Sequence, residues 1–494
     1  MTTVYDVAII GGGINGCGCA ADAASRGLSV VLLEKDDLAS HTSSSSTKLI
    51  HGGLRYLEHY EFGLVKKALE ERQTLLEIAP HLIHPLPFVL PHQKHMRPTW
   101  FLRLGLFLYD RLSIKNRLPK SISVKRNKHQ LYFSPLKDQL ESGLLFYDGF
   151  TDDSRLTLAN ALTAKEHGAS IRRGSEVIHL EVLNNIWQLT VQPKVGNSYV
   201  IRAKSLINAA GPWVQHLAQK MSMPAKEMTL VKGSHIVVPK LYEGDQGYFL
   251  QHADKRVVFI IPYHGYSMIG TTDILFKDCP DTIQISQEEI EYLITLVNDY
   301  FTSQLHPDDV IHSWSGVRTL VAHETKNVTA LSRDYFFEFT SKTAPCVTIY
   351  SGKMTTYRKL AEKVIDTLAP HLQNTASCST SYKPLHGATL KGMDFKHYSQ
   401  QAFNKYPWLD KQLINRYLLT YGTGMEKFLS GKTSPESLGM YFGSSLYQAE
   451  VDYLIAEEWA LTSEDILKRR TKLYLDLDVQ TRNTLDDYLQ VAVL

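Results

Sequence analysis

The stretch Val4–Glu34, VYDVAIIGGGINGCGCAADAASRGLSVVLLE, restricts the possible folds more than any other part of the chain. Val7-Ala8-Ile9-Ile10 is a short apolar run without alternation, as expected of a strand buried on both faces. Gly11, Gly13 and Gly16 follow in G-x-G-x-x-G register, where a chain passes from strand to helix. Gly11 permits the tight turn, Gly13 lets a pyrophosphate reach the backbone, and Gly16 lets the helix lie near the strand. Asn15 belongs to the same turn. The helix has small residues, Ala20, Ala23 and Ala24, on its packing side, and a second apolar run, Ser29 to Leu33, ends in Glu34. Free N–H groups at the helix N-terminus favour a pyrophosphate. Glu34 stands where an acid accepts hydrogen bonds from the adenosine ribose, which disfavours a 2′-phosphate and hence NADP. Strand, helix, second strand and acid at this spacing imply a bound dinucleotide, FAD or NAD. The expected class is α/β, with a Rossmann-like nucleotide domain.

A chain of 494 residues is too long for one core, so two or three domains are expected. With 44% apolar and 21% charged residues the composition is that of an ordinary globular protein. No apolar stretch reaches bilayer-spanning length, and the first residues lack the basic start of a signal peptide. Five scattered cysteines argue for a reducing compartment, against a disulfide frame, and against a zinc or other metal site. Charge is uneven. Between His92 and Lys128, ten Lys/Arg face one acid, Asp110, although the whole chain is only +2. Inside that segment lies Trp100-Phe101-Leu102-Arg103-Leu104-Gly105-Leu106-Phe107-Leu108-Tyr109. An apolar run amid basic residues fits a segment resting on an anionic membrane surface, and equally a buried helix with solvated basic flanks. No recognition motif for nucleic acid accompanies the charge, so none is expected as a partner.

Leu38 to Thr47 is Ser-rich and runs directly into Lys48-Leu49-Ile50-His51-Gly52-Gly53-Leu54-Arg55-Tyr56. A loop wrapping cofactor phosphate and ribitol explains this better than a flexible linker, and Ser44, Ser45, Lys48, His51 and Gly52 become candidate contacts. Phe62 to Ile78 has helical spacing, after which Pro80, Pro85, Pro87 and Pro91 are expected to break the chain. Asp152 to Arg155 opens a capped helix. Two strands, about Ser175–Asn184 and Trp187–Gln192, flank an Asn184-Asn185 turn. The strand from Ser205 ends in Gly211-Pro212-Trp213, a second place where backbone can approach a nucleotide. Lys232–Pro239, Val257–Pro262 and Ser267–Gly270 predict an inserted antiparallel sheet. Val347–Tyr350 is another strand, followed by Gly352-Lys353-Met354-Thr355 and a helix with Tyr357, Leu360, Ala361, Val364 and Leu368 on one face and Thr356 at the N-cap position. An ATP-binding phosphate loop is excluded because Val347 stands where its first glycine belongs. Beyond about Leu385 helical patterns dominate, so 387–494 is expected to be a separate helical domain without a chemical motif.

IIGGGINGCGCAADAASRGLSVVLLEKDDLAS, SSSSTKLIHGGLRYLEHYEFGLV, KGSHIVVP, IGTTD, SGVR and GKMTTYRKLAE occur in this order. Together they resemble the FAD-dependent glycerol-3-phosphate dehydrogenases, specifically the aerobic, respiratory bacterial type. The resemblance covers the first 360-odd residues closely and extends to the helical tail. It implies non-covalent FAD and a fold like the D-amino-acid-oxidase group. FAD-binding pieces would lie at about 1–80, 150–228 and 340–386, and substrate- and membrane-facing pieces at about 81–149 and 229–339. It also implies oxidation of sn-glycerol 3-phosphate to dihydroxyacetone phosphate, with ubiquinone or menaquinone as acceptor. The enzyme would be a homodimer attached peripherally to the cytoplasmic face of the bacterial inner membrane.

Two positions depart from the pattern: Ser351 stands where Gly is expected, and Thr319 where Pro is expected. The implied reaction takes a hydride from C2 of the alcohol and a proton from its oxygen. Arg55 and Arg318 are the candidates for gripping the phosphate, with Tyr56 and Lys353 beside it. His235 is the candidate base, with His51 as alternative; Arg318 can also steady a developing alkoxide. Lys353 and the helix N-terminus near Thr356 are placed to offset negative charge on the reduced cofactor, with Gly352, Met354 and Thr355 as contacts. An oxidase of the same fold, passing electrons to oxygen, is the main rival. A flavin-bound scaffold without turnover is the third.

Overall fold

The computed structural model describes residues 3–492 apart from 95, 221–224, 253, 255 and 322–333, and describes no side chain at 55, 58, 59 and 321. The fingerprint folds as expected. Strand β1 (Val4–Ile10) leads through the glycine turn into helix α1 (Ile14–Ser25), and strand β2 (Val30–Leu33) lies parallel to β1. Residues Val7 to Ile9 and Val30 to Leu32 are fully buried, because helices cover one face of this sheet and a β-hairpin packs against the other. The sheet runs Phe336–Thr340, Cys346–Ser351, Tyr199–Asn208, β1, β2, Ser170–Arg172. Ser175–Leu183 and Ile186–Pro193 form the hairpin, joined by Asn184 and Asn185 at φ 53° and 60°. Cys17 and Cys19 are fully buried packing residues in α1.

The second sheet is mostly antiparallel and ten-stranded among the described residues. It contains Met228–Val238, Tyr266–Gly270 and Val257–Tyr263, as the sequence predicts, and beside them Gly247–Gln251, which the sequence reading did not pick out. One expectation fails here. The proline-rich segment does not break the chain; Ile83–Pro91 is a strand paired along its whole length with Ser142–Thr151. Pro85, Pro87 and Pro91 share one parity, so their missing donors all face away from that partner. On the far side, among the described residues, only Phe88 and Val89 meet another strand, Gly247–Gln251.

The C-terminal part is helical, with one short hairpin, Tyr441–Gly443 and Leu446–Tyr447. It has its own core, which includes Leu413, Tyr417, Leu446, Val451, Leu454 and Ile466. It also docks on the nucleotide region through buried ion pairs. Arg155 grips Glu458 with both terminal guanidinium nitrogens, and Arg469 and Arg470 converge on Asp37.

His81 lies in the same seam. A Cβ added at Gly387 or Gly422 would come within 2.8 or 3.0 Å of its ring. Burial, reinforced by the Arg155 charge, holds its pKa at about 3. The unfolded chain therefore binds the extra proton first. The stabilisation is complete above pH ~6.5 and is lost as pH falls toward the folded value, by up to about 1.4 kcal/mol per pH unit. Thermal melts between pH 7 and 4.5 are expected to show this loss, and His81→Gln to flatten it; parallel curves for the two proteins would refute it.

Candidate active site

The glycine turn is held by contacts that a side chain would destroy. A Cβ at Gly16 would lie 2.0 Å from the Gly11 carbonyl oxygen, and one at Gly11, whose φ is +113°, would lie 2.4 Å from that of Ala209. Gly13 caps α1 without a side chain of its own; Ser43 Oγ takes that role and accepts from Ile14 N–H at 2.9 Å. Glu34 is buried at the end of β2, accepting from Gly12 N–H at 2.6 Å and Asp36 N–H at 2.8 Å. Burial raises its pKa against these bonds. A cleft of about 280 Å³ opens here, lined among others by Gly11, Gly13, Glu34, Ser40 to Ser43 and Ala209 to Trp213. Gly211 turns at φ +53° on its wall. Trp213 closes one end, with His41 at 4.6 Å and the Lys35 ammonium at 4.3 Å from its ring. Lys35 also bridges to Asp281 at 2.9 Å.

The other segments close round the same turn. Gly352 abuts Asn15, whose carboxamide would meet an added Cβ at 2.7 Å. Asn15 Oδ1 is buried with no hydrogen-bond partner among the described residues. Thr355 Oγ1 accepts from His51 N–H at 3.2 Å, and Met354 packs against the cluster containing Ile14 and Ile50. Lys353 Nζ sits 4.2 Å over the Tyr56 ring. Thr42 donates to the Val317 carbonyl at 2.8 Å, and Ser45 lies against Gly316. The Ser-rich loop thereby reaches the strand carrying Arg318.

His235 lies on Met228–Val238, near one end of the second sheet, between Gly270 and Trp314 on the flanking strands. The lack of a side chain at Gly270 makes room for its imidazole, since an added Cβ would lie 2.0 Å from the ring. The ring stacks on Trp314 at 5.4 Å, and its Nε2 lies 3.0 Å from Thr47 Oγ1. Nδ1 is buried without a hydrogen-bond partner among the described residues. Burial, then the charges of Lys48 and Arg318, hold the pKa well below the ordinary histidine value. Arg318 points from the adjacent strand, 2.5 Å from Asp273 Oδ1, and its guanidinium covers Gly233.

Several candidates sit differently from the expectation. Lys48 is fully buried and paired with Asp153 at 2.8 Å, so it braces the loop from behind. Ser44 and Ser45 donate back to the His41 carbonyl, while Ser43, not singled out from the sequence, faces the helix. Gly52 packs against Leu69 and donates to Tyr109 Oη at 2.8 Å. Arg55 lies in the turn Leu54–His59, and its side chain is outside the described residues. Thr356 occupies the N-cap position of Tyr357–Leu368 but makes no side-chain cap bond. Trp213 and His41 also escaped notice, although Trp213 belongs to the recognised Gly-Pro-Trp turn.

The model of FAD-dependent oxidoreductases matches residues 6–358, and that of the C-terminal domain of alpha-glycerophosphate oxidase matches 378–492. A glycerol-3-phosphate dehydrogenase of Pseudomonas aeruginosa is 46% identical over 99% of this chain and 96% of its own. The chain belongs to the FAD-dependent glycerol-3-phosphate dehydrogenase family. Among its relatives, a D-erythritol 1-phosphate dehydrogenase of Brucella abortus is 43% identical over 99% of this chain and 98% of its own. The crystal structure of the Bacillus halodurans glycerol-3-phosphate dehydrogenase complexed with FAD superposes with a TM-score of 0.78 at 28% identity, covering 99% of this chain and 89% of that one. This family's cofactor is FAD. The glycine cradle, the buried Glu34 and the unpartnered Asn15 carbonyl oxygen fit that group.

Proposed function

We propose that the protein oxidises sn-glycerol 3-phosphate to dihydroxyacetone phosphate and passes the electrons to a membrane quinone. The observation that carries the chemistry is the convergence on one site of His235, a buried imidazole kept neutral, with Arg318. FAD, when bound, supplies the two-electron acceptor. Arg318, Lys353 and Arg55 hold the substrate dianion, and Tyr56 carries Lys353 on its ring. His235 takes the hydroxyl proton, its plane fixed by Trp314 and Thr47. Glu34, Ser44, Ser45, His51, Gly52, Gly211, Gly352, Met354 and Thr355 support the cofactor directly or through the turns they shape. The Brucella relative keeps a longer polyol phosphate as rival substrate.

Anaerobic addition of glycerol 3-phosphate should bleach the flavin, and a short-chain quinone should restore it faster than air. Bleaching by D-erythritol 1-phosphate alone would move the substrate to the four-carbon compound. Stoichiometric peroxide in air would favour the oxidase. The base works only when neutral, so flavin reduction should be level above neutrality and fall as pH drops through the depressed pKa of His235. His235→Asn should abolish that acid limb; an unchanged limb would assign the proton elsewhere, first to His51.

Quinone access is supported by the helix Thr99–Arg111. It is not a buried helix, since only Leu106 and Tyr109 are buried, while Trp100 is 68% exposed and Phe101, Leu104, Phe107 and Leu108 are exposed too. Nearby Ile114 is 96% exposed. Arg97 and Arg111 lie over Phe101 and Phe107. No helix among the described residues is long and apolar enough to cross a membrane. This face would rest on the anionic inner leaflet of a bacterial inner membrane, with the enzyme as a homodimer. At about 1 kcal/mol per basic residue, replacing Arg97 and Arg103 by Gln should weaken binding to anionic liposomes roughly thirtyfold. Unchanged binding would give this face to a protein partner.

A further inference from the structure

We propose that Lys472, in the C-terminal part of the chain, is a positioning residue for the active site, fixing the Ser-rich loop and through it the imidazole of His235. The sequence from Thr462 begins as a capped helix, but Asp465–Thr471 winds as a π-helix that ends on Lys472 at φ +62°. Such wide turns are rare and recur at functional sites. Here the turn sends three cations into the nucleotide region: Arg469 and Arg470 to Asp37, and Lys472 to Asp152 at 3.3 Å and to Ser154 Oγ.

Asp152 caps the helix Asp153–Glu166, and the next residue, Asp153, carries the connection onward. Its carboxylate accepts from Ser46 N–H at 3.0 Å, Ser46 Oγ at 2.7 Å and Lys48 Nζ at 2.8 Å. Lys48 also donates to the Ser44 carbonyl at 3.1 Å and lies 4.9 Å over the Trp314 ring, on which His235 stacks. Between Ser46 and Lys48, Thr47 reaches His235 Nε2. The path from Lys472 to His235 thus has no gap.

Two features distinguish this from ordinary docking. Lys48 at φ +59°, His264 at +48° and Lys472 at +62° are non-glycine residues in the left-handed region; Lys472 pairs with Asp152 at 3.3 Å, Lys48 with the adjoining Asp153 at 2.8 Å, and the Asp152 carboxylate acts electrostatically on His264. Strained residues persist where their surroundings over-determine them, and they cluster at working sites. Burial of Lys48, Lys472 and Asp153 is also a poor route to stability alone, because desolvation offsets most of the attraction. Alternating charges instead allow one arrangement of the loop.

The rate part of the test rests on the proposed reaction; the affinity part does not. Lys472→Met should weaken FAD binding about tenfold by flavin fluorescence, and slow anaerobic flavin reduction about tenfold at saturating FAD and glycerol 3-phosphate, with KM within about threefold. Asp152→Asn/Lys472→Met removes both charges and keeps an N-cap acceptor, so it should lie closer to wild type than the single variant. Val451→Ala, in the C-terminal core, should lower Tm and change neither quantity. A Lys472→Met protein that behaves like Val451→Ala would overturn the proposal. If Lys472→Met does not fold, Asp152→Asn alone serves for the same comparison. If the wild-type flavin is not reduced by glycerol 3-phosphate, the reaction is wrong, and FAD affinity still decides the role of Lys472.

Discussion

Arg318→Ala is expected to keep its FAD and its yellow colour while kcat/KM for glycerol 3-phosphate falls by about two to three orders of magnitude. The substrate phosphate carries nearly two negative charges, and a planar guanidinium can hold it with two hydrogen bonds at once. Asp273 at 2.5 Å aims the group, and the register of strand His312–Val321 against Met228–Val238 sets where it emerges. Removing one partner of a desolvated charge pair costs about 3–4 kcal/mol, and each 1.4 kcal/mol is tenfold in rate. Arg318→Lys should recover only part of the loss, since an ammonium lacks the fork. Steady-state kinetics identical to wild type would remove Arg318 from the site. Thr319, where the resemblance led to an expectation of proline, pairs with Leu230 as a regular strand residue next to Arg318.

Gly16→Ala should give a folded but colourless protein, with FAD affinity reduced by about a hundredfold or more. The added methyl would lie 2.0 Å from the Gly11 carbonyl oxygen, and backbone cannot yield as a flexible side chain can. The turn must open, and the helix N-terminus moves off the pyrophosphate. Gly63→Ala is the matched control: nothing lies within 4 Å of its added methyl, and a helical alanine replaces a poor helix former. A Gly16→Ala protein that still binds FAD tightly would place the pyrophosphate elsewhere.

What could be read from the sequence follows how local the determinants are. The glycine turn, the place of Glu34 at the end of β2 and the Asn184-Asn185 hairpin were legible because each depends on backbone conformation within a few residues. Helix Phe62–Ile78 was legible from its period. Which serine would face α1 was not legible. That depends on the short turn Thr42–Ser44, which aims Ser43 at the helix and folds Ser44 back on His41. The burial of Lys48 and the pairing of Asp37 with Arg470, 433 residues away, depend on tertiary packing that no window of sequence contains. The proline-bearing strand was missed for a related reason. Proline is tolerated there only because one side of the strand has little to bond with, which the sequence does not state.

That strand has a consequence for how the molecule behaves in a crowded solution. Pro85 is exposed, Pro87 half-buried, and neither can offer an amide proton to a passing chain. The flank of the larger sheet near Ile83 is thereby left without a template for zipping onto a neighbour, although Leu86 and Phe88 beside it are as apolar as any fibril-forming segment. A chain with valine at both positions would keep its chemistry and acquire an adhesive border.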